Sequence, residues 1–189
     1  MHESGNYAER TVTTKAEGKF LKRRLEWIAI YALLIFAYLG IMVKLSASGG
    51  SYGVWVAVVT VPFIPLVVMA LRVYTWKRFV AIEYRYEIAN AKITFSQPQG
   101  KKDKGLSSRL VSAFTRIAPV ADVWKDDMSG ADTVLDFRGS PKSPDSYFLR
   151  LDEGGKKTII YFEATNKAVK VMKFYNSKGL IMPDAPLRY

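Results

Sequence analysis

Cysteine is absent from the 189 residues, and histidine occurs once, as His2 in a polar N-terminal stretch. Without cysteine there is no disulfide, no thiolate nucleophile and no Cys-based zinc site. A single histidine in a tail cannot build a His-based metal site or a Ser-His-Asp triad. The glycines at 100, 105, 154 and 155 match neither a P-loop nor a dinucleotide-binding fingerprint. The acidic residues Asp122, Asp126 and Asp127 lack the spaced Asp/Asn and Gly pattern of a calcium loop and read as a solvated turn. Ser107 and Ser108 have no histidine to act as their base. The expectation is therefore a chain that needs no cofactor and no metal, and is not an enzyme.

What the chain has in quantity is apolar residues in two runs. From Trp27 to Val43 there are 17 residues without a charge. Crossing about 30 Å of hydrocarbon takes ~20 helical residues, with a lower limit near 17. The first span is expected over Leu25–Leu45 and the second over Tyr52–Tyr74, with a short Ser/Gly turn, residues 46–51, between them. Two helices joined so tightly run antiparallel. The first run is too long for a signal-peptide core, and a second run follows it directly. Both are apolar all round, unlike the helices of a soluble hairpin.

Basic residues set the orientation. Lys15, Lys19, Lys22, Arg23 and Arg24 precede the first run; Arg72, Lys77 and Arg78 close the second. The turn between carries only Lys44 at its edge. The positive-inside rule then places both termini in the cytoplasm. Arg23, Arg24 and Trp27 on one side, and Trp76, Lys77 and Arg78 on the other, have the composition of membrane-interface anchors. Pro62 and Pro65 lie inside the second run and are expected to kink it. Neither run holds a charge near its middle, which argues against a proton relay or an ion path.

After residue 76 the pattern changes to that of a soluble domain. Val80, Ile82, Tyr84, Tyr86 and Ile88 alternate with Ala81, Glu83, Arg85 and Glu87, the period-two signature of a half-buried strand. Asn90 sits at a tight turn, and Lys92–Phe95 returns. Residues 97–105 read as a polar loop carrying Lys101, Lys102 and Lys104. Residues 106–117 fit a strand or a short helix, closed by Pro119. Further strands are expected at 133–137, 147–151 and 157–162, with a hairpin turn at 153–156. Thr165 is a candidate N-cap for a last helix whose stripe is Ala168, Val169, Met172 and Tyr175, with Gly179 as its stop. The expected organisation is a tail (1–24), a two-helix transmembrane hairpin (25–75), an α+β domain (76–180) and a short tail (181–189).

A meander of six or so antiparallel strands followed by one amphipathic helix resembles the pleckstrin-homology-like fold, a partial barrel lidded by its C-terminal helix. More closely, the chain is similar to a family of small bacterial membrane proteins with a two-helix hairpin before such a domain. The resemblance covers roughly residues 80–178. It is carried by Ile82-Glu83-Tyr84-Arg85-Tyr86-Glu87-Ile88-Ala89-Asn90, by Arg116-Ile117-Ala118-Pro119, and by Tyr161-Phe162-Glu163-Ala164-Thr165-Asn166-Lys167. Ala91 departs from it, where the turn would favour glycine. The resemblance implies a fold but no activity.

The net charge is +11, and residues 76–189 hold 20 basic and 13 acidic residues. A basic domain beside a bilayer has anionic head groups within reach. The resemblance to lipid-binding relatives of this fold puts basic residues in an early loop, here Lys101, Lys102 and Lys104. Nucleic acid is not an expected partner, because no recognition motif is present and the aromatics alternate as core residues. The expectation is a membrane-anchored, non-enzymatic interaction module. It would bind a protein partner, a second copy or the anionic membrane surface, as an accessory subunit of a larger complex. The alternative is a component of a membrane enzyme or transporter whose reactive groups come from another chain.

Overall fold

The computed structural model describes residues 6–48, 50–60, 63–76, 80–99, 102–183 and 186–187. In chain order the elements are β1 (Ala8–Thr13), α1 (Gly18–Ser48), α2 (Gly50–Thr60), α3 (Phe63–Thr75), β2 (Glu83–Ala89), β3 (Lys92–Gln99), β4 (Lys102–Leu110), β5 (Arg116–Pro119), α4 (Lys125–Met128), β6 (Thr133–Asp136), β7 (Ser146–Glu153), β8 (Lys156–Glu163) and α5 (Asn166–Tyr175). The chain divides into two compact units. One is Met1–Thr14 with Glu83–Tyr189, and the other is Lys15–Ile82.

The first unit holds two four-stranded sheets, in the orders β1-β2-β3-β4 and β5-β7-β8-β6. All pairings are antiparallel except β6 with β8, which is parallel. The alternation of β2 is observed: Tyr86 and Ile88 are buried while Glu87 is exposed. Phe95 of β3 stacks on Phe137 at 4.7 Å between ring centres and meets Phe162 of β8 edge-on at 5.9 Å. Tyr86 meets Phe162 edge-on at 5.2 Å. These rings join the inner faces of both sheets into one core, where aromatic pairs add to simple burial. Ala168, Val169 and Met172 of α5 complete it.

The largest departure from the sequence reading lies at the N-terminus. Residues 8–13, expected within a tail, form the edge strand of the first sheet, paired from Ala8↔Ile88 to Thr13↔Glu83. AERTVT is too short and too polar for its alternation to stand out, and its partner strand lies some 70 positions on. The C-terminal segment is also held. Asn166 donates from Nδ2 to the Leu187 carbonyl at 2.9 Å and accepts from the Leu187 amide at 3.1 Å. Leu180 is buried, and Gly179 and Ile181 bond to both backbone groups of Ile117 on the outer edge of β5.

Three further expectations change. Residues 97–99 and 102–105 are strand, so the supposed loop is the end of a long β3–β4 hairpin. Residues 106–117 split into the rest of β4, a 3-10 turn at Val111–Ala113 and the start of β5. Helix α5 is capped by Thr165, whose hydroxyl accepts from the Ala168 amide at 3.1 Å. It ends at Tyr175 and not at Gly179. Gly179 is required for another reason: a Cβ there would lie 2.8 Å from Asn176 Oδ1 and 3.1 Å from the Phe114 carbonyl.

The second unit is helical. Phe20–Lys44 within α1 is long and apolar enough to cross a membrane, and none of its apolar window is buried. Its 25 residues span about 37 Å at 1.5 Å per residue. The single second helix expected over Tyr52–Tyr74 is described as α2 and α3, each too short by itself to cross. Pro65 stands in the first turn of α3, where its missing amide costs no intrahelical bond; a helix running through it from α2 would lose one. Pro62 lies outside the described residues. The Tyr31 hydroxyl of α1 hydrogen-bonds the Thr75 hydroxyl at the end of α3, and Thr75 also donates to the Leu71 carbonyl at 2.6 Å.

Candidate functional site

The strongest surface feature foreseen from sequence was the basic run at 101–104, and its geometry starts at the β2–β3 turn. Asn90 and Ala91 both have positive φ, +51° and +61°, which makes a two-residue type I′ hairpin between Ala89 and Lys92. That turn fixes the register of β3. β4 then follows β3 with a bulge where Phe95 faces Ser107 and Ser96 faces Gly105. The extra residue, Leu106, bends the strand at this point. Beyond the bulge Gln97 pairs with Lys104, Pro98 with Asp103 and Gln99 with Lys102.

The register locates the tip of this hairpin. Arg85 pairs with both Thr11 and Ser96. Two positions further along, β1 ends at Thr13 opposite Glu83, and β3 has reached Pro98. The tip of β3–β4 therefore lies at the end of the sheet from which the chain departs at residue 14 and to which it returns at residue 83. Lys104 is exposed. Asp103 is answered by Arg85 Nη1 at 3.0 Å, and Arg85 Nε donates to Thr11 at 3.4 Å. This pair is 40% and 43% exposed, so it contributes little stability. Its effect is to withdraw the acid of the run from the lysines. The backbone of Lys102 belongs to β4; Lys101 lies outside the described residues.

Of the expected interface residues, Arg23, Arg24 and Trp27 lie on α1, and the Trp27 ring is 6.0 Å from that of Tyr31. Trp76 follows α3, with the Arg72 guanidinium 5.7 Å from its ring. Lys77 and Arg78 lie outside the described residues.

The other polar groups are tied up in structure. Asp127 is held by Arg150 Nη1 at 2.6 Å and Arg116 Nε at 3.5 Å, and the Arg116 guanidinium lies 5.0 Å from the Trp124 ring. Arg150 also binds Asp152, whose carboxyl is lowered by Arg150 and Thr115 against the opposing effect of burial. No cluster of acidic or histidine side chains able to hold a metal occurs among the described residues. Ser108 bonds the Thr94 hydroxyl at 3.0 Å. A cleft of about 410 Å³ lies between the end of β4 and the end of β7; its lining mixes Lys92 and Arg109 with Asp152 and Glu153.

The sequence reading missed one surface. The outer side of α5 carries Lys167, Lys170, Lys173 and Phe174, all exposed. The signal was available, because these residues fill the helical positions left by the apolar stripe. No curated protein and no solved structure gives a significant match. The bacterial PH-like domain family (DUF6106) matches residues 4–182, a stretch that includes β1 and the helical unit together with both sheets and α5. The chain belongs to this bacterial PH-like domain family.

Proposed function

We propose that the protein is a membrane-anchored, non-enzymatic interaction module. In this reading it crosses the bilayer twice, keeps both termini and the two-sheet domain in the cytoplasm, and presents the β3–β4 tip to anionic head groups. One observation carries the proposal: β1 and β2 are neighbours in one sheet, yet the span-length helix lies between them. A sheet forms in one aqueous compartment. The chain must therefore cross the membrane an even number of times between Thr13 and Glu83. If α1 crosses, a return crossing is required, and α2 with α3 is the available segment. From residue 50 to 75 it would cover about 39 Å if continuous. The bond from Tyr31 to Thr75 supports an antiparallel return.

The basic clusters at 15–24 and 72–78 support a cytoplasmic domain. The hairpin tip lies at the end of the sheet where the chain leaves for the membrane, which supports contact of Lys101, Lys102 and Lys104 with head groups. Each cation near an anionic surface gains about 1 kcal/mol, less as salt rises. A protein partner at the tip, with this chain as an accessory subunit, is the competing occupant.

The absence of cysteine makes the topology directly testable. Single cysteines are placed at Tyr7, Ser48 and Ser177 and exposed to a membrane-impermeant thiol reagent on intact cells. Labelling at Ser48 alone is expected. Labelling at 7 or 177 without 48 would overturn the orientation, and opposite results at 7 and 177 would overturn the paired crossing. For the tip, changing all three lysines to glutamate in the full chain, held in neutral nanodiscs, should weaken its capture of anionic vesicles. Unchanged capture would leave a protein as the occupant.

A further inference from the structure

The face of α5 turned away from the core combines lysines with an exposed aromatic ring. Residues 165–183 contain four lysines, at 167, 170, 173 and 178, and no acidic residue. All four are exposed. Among them stands Phe174, 70% exposed. Lys167, Lys170 and Phe174 are spaced i, i+3 and i+7, so they share one side of the helix, and Lys173 flanks them. The opposite side, through Ala168, Val169, Val171 and Met172, is buried. Exposing a phenylalanine is costly unless something covers it. It is also the type of residue that anchors interfaces when ringed by longer polar side chains.

We propose that this face of α5 docks an acidic segment of a partner protein, with Phe174 as the apolar anchor and the lysines as its cationic rim. Charge complementarity selects the partner's sign. The fold argues against lipid as the occupant. At the C-terminal end of α5, Asn176 donates from Nδ2 to the carbonyls of Val111 at 3.0 Å and Phe114 at 2.8 Å. Val111 in turn bonds the Ala91 carbonyl at 2.8 Å, in the β2–β3 turn. That turn is the end of the sheet opposite Thr13 and Glu83. Phe174 thus lies at the end of the domain away from the segment leading to the membrane. The inference goes beyond the anchoring proposal and uses it only to exclude lipid.

The test uses the full chain in nanodiscs of zwitterionic lipid. The probe is a fluorescein-labelled synthetic peptide rich in glutamate with leucine at every third or fourth position, read by anisotropy. Binding is expected at low salt and should weaken as salt rises. Phe174→Ser should weaken it at least about tenfold, and Lys170→Glu with Lys173→Glu should abolish it. Lys142→Glu, at an exposed lysine outside α5 and outside the β3–β4 tip, should leave it unchanged. These substitutions are at exposed positions, and a near-UV circular dichroism spectrum checks that the variants stay folded. The proposal is overturned if the wild type ignores the peptide. It is also overturned if Phe174→Ser binds as well as wild type, or if Lys142→Glu is as damaging as the α5 changes. Loss of anionic-vesicle capture in the α5 variant, with peptide binding intact, would make the face a lipid surface instead. Cysteine labelling reads the topology separately, so failure of one proposal does not conceal failure of the other.

Discussion

Arg10 and Glu163 lie 153 positions apart and meet in the domain interior, Arg10 Nη2 donating to a Glu163 carboxylate oxygen at 3.1 Å. The other oxygen of that carboxylate accepts from the amides of Gly139 at 2.9 Å and Ser140 at 3.3 Å. Arg10 Nη1 donates to the Ala164 carbonyl at 3.0 Å and lies 3.9 Å from Asp145. Strand β1 is six residues long and buries only small side chains, so this ion pair is a main tie between the N-terminal strand and the second sheet. It also joins the two pieces of chain that the helical unit separates.

Removing one partner leaves the other charged and nearly buried, which costs about 3 kcal/mol or more. Arg10→Ala should therefore lower the unfolding midpoint of the full chain in detergent, followed by near-UV circular dichroism. Arg10→Met combined with Glu163→Gln should recover part of the loss, because the Glu163 position then carries no charge and its glutamine oxygen still accepts from Gly139 and Ser140, while Asp145 keeps its charge but loses the nearby guanidinium. If the double variant is worse than the sum of its singles, the pair is not the tie argued here.

Gly139 is closed to any side chain. A Cβ there would stand 2.5 Å from Val12 Cγ1 and 2.8 Å from the Thr13 carbonyl. Gly139→Ala must push β1 away, at a cost of about 1–3 kcal/mol. Its effect should be less than additive with Arg10→Ala, since both undo the same docking. Additive losses would separate the two.

Ala91 holds a left-handed conformation at φ +61°, which an L side chain adopts at a cost of about 1 kcal/mol. Ala91→Gly removes that cost and adds back unfolded-state entropy. A net stabilisation of roughly 0.5 kcal/mol is expected from denaturant titration. A loss of stability would contradict the type I′ turn.

Burial pushes the Tyr86 phenol up to about 12, opposed by the neighbouring Thr165 and the charge of Arg10. A raised folded value means that the unfolded chain releases this proton first. Tyr86 thus contributes stability that is fully present below pH 10 and is lost as pH rises toward 12. Alkaline unfolding should therefore be shallower in Tyr86→Phe. In the wild type one phenolate absorbance step should coincide with unfolding. Ionisation of every tyrosine before unfolding would refute the assignment.

The sequence legibly marked the elements whose signal is local. Tyr84, Tyr86 and Ile88 show the alternation of β2, Thr165 the start of α5, and Gly154 with Gly155 the β7–β8 hairpin. Less legible were elements defined by distant partners. β1 carries little apolar pattern because its burial is one strand edge and one ion pair. The strands around the basic tip looked like a loop because Gln97, Lys102 and Lys104 are polar, and a two-stranded extension beyond the core needs no apolar alternation.

By itself the sequence determined that an apolar segment separates a short polar N-terminus from a basic, strand-rich domain, and that the chain carries no cysteine and one histidine, His2. Those are properties of composition and of periods of two and 3.6 residues, which the chain carries with it. Only the tertiary structure decided that residues 8–13 pair with residues 83–88 across that apolar segment. Pairing is set by backbone hydrogen bonds and by the Arg10–Glu163 contact, between residues the sequence keeps far apart. The proposed even number of crossings rests on that single pairing.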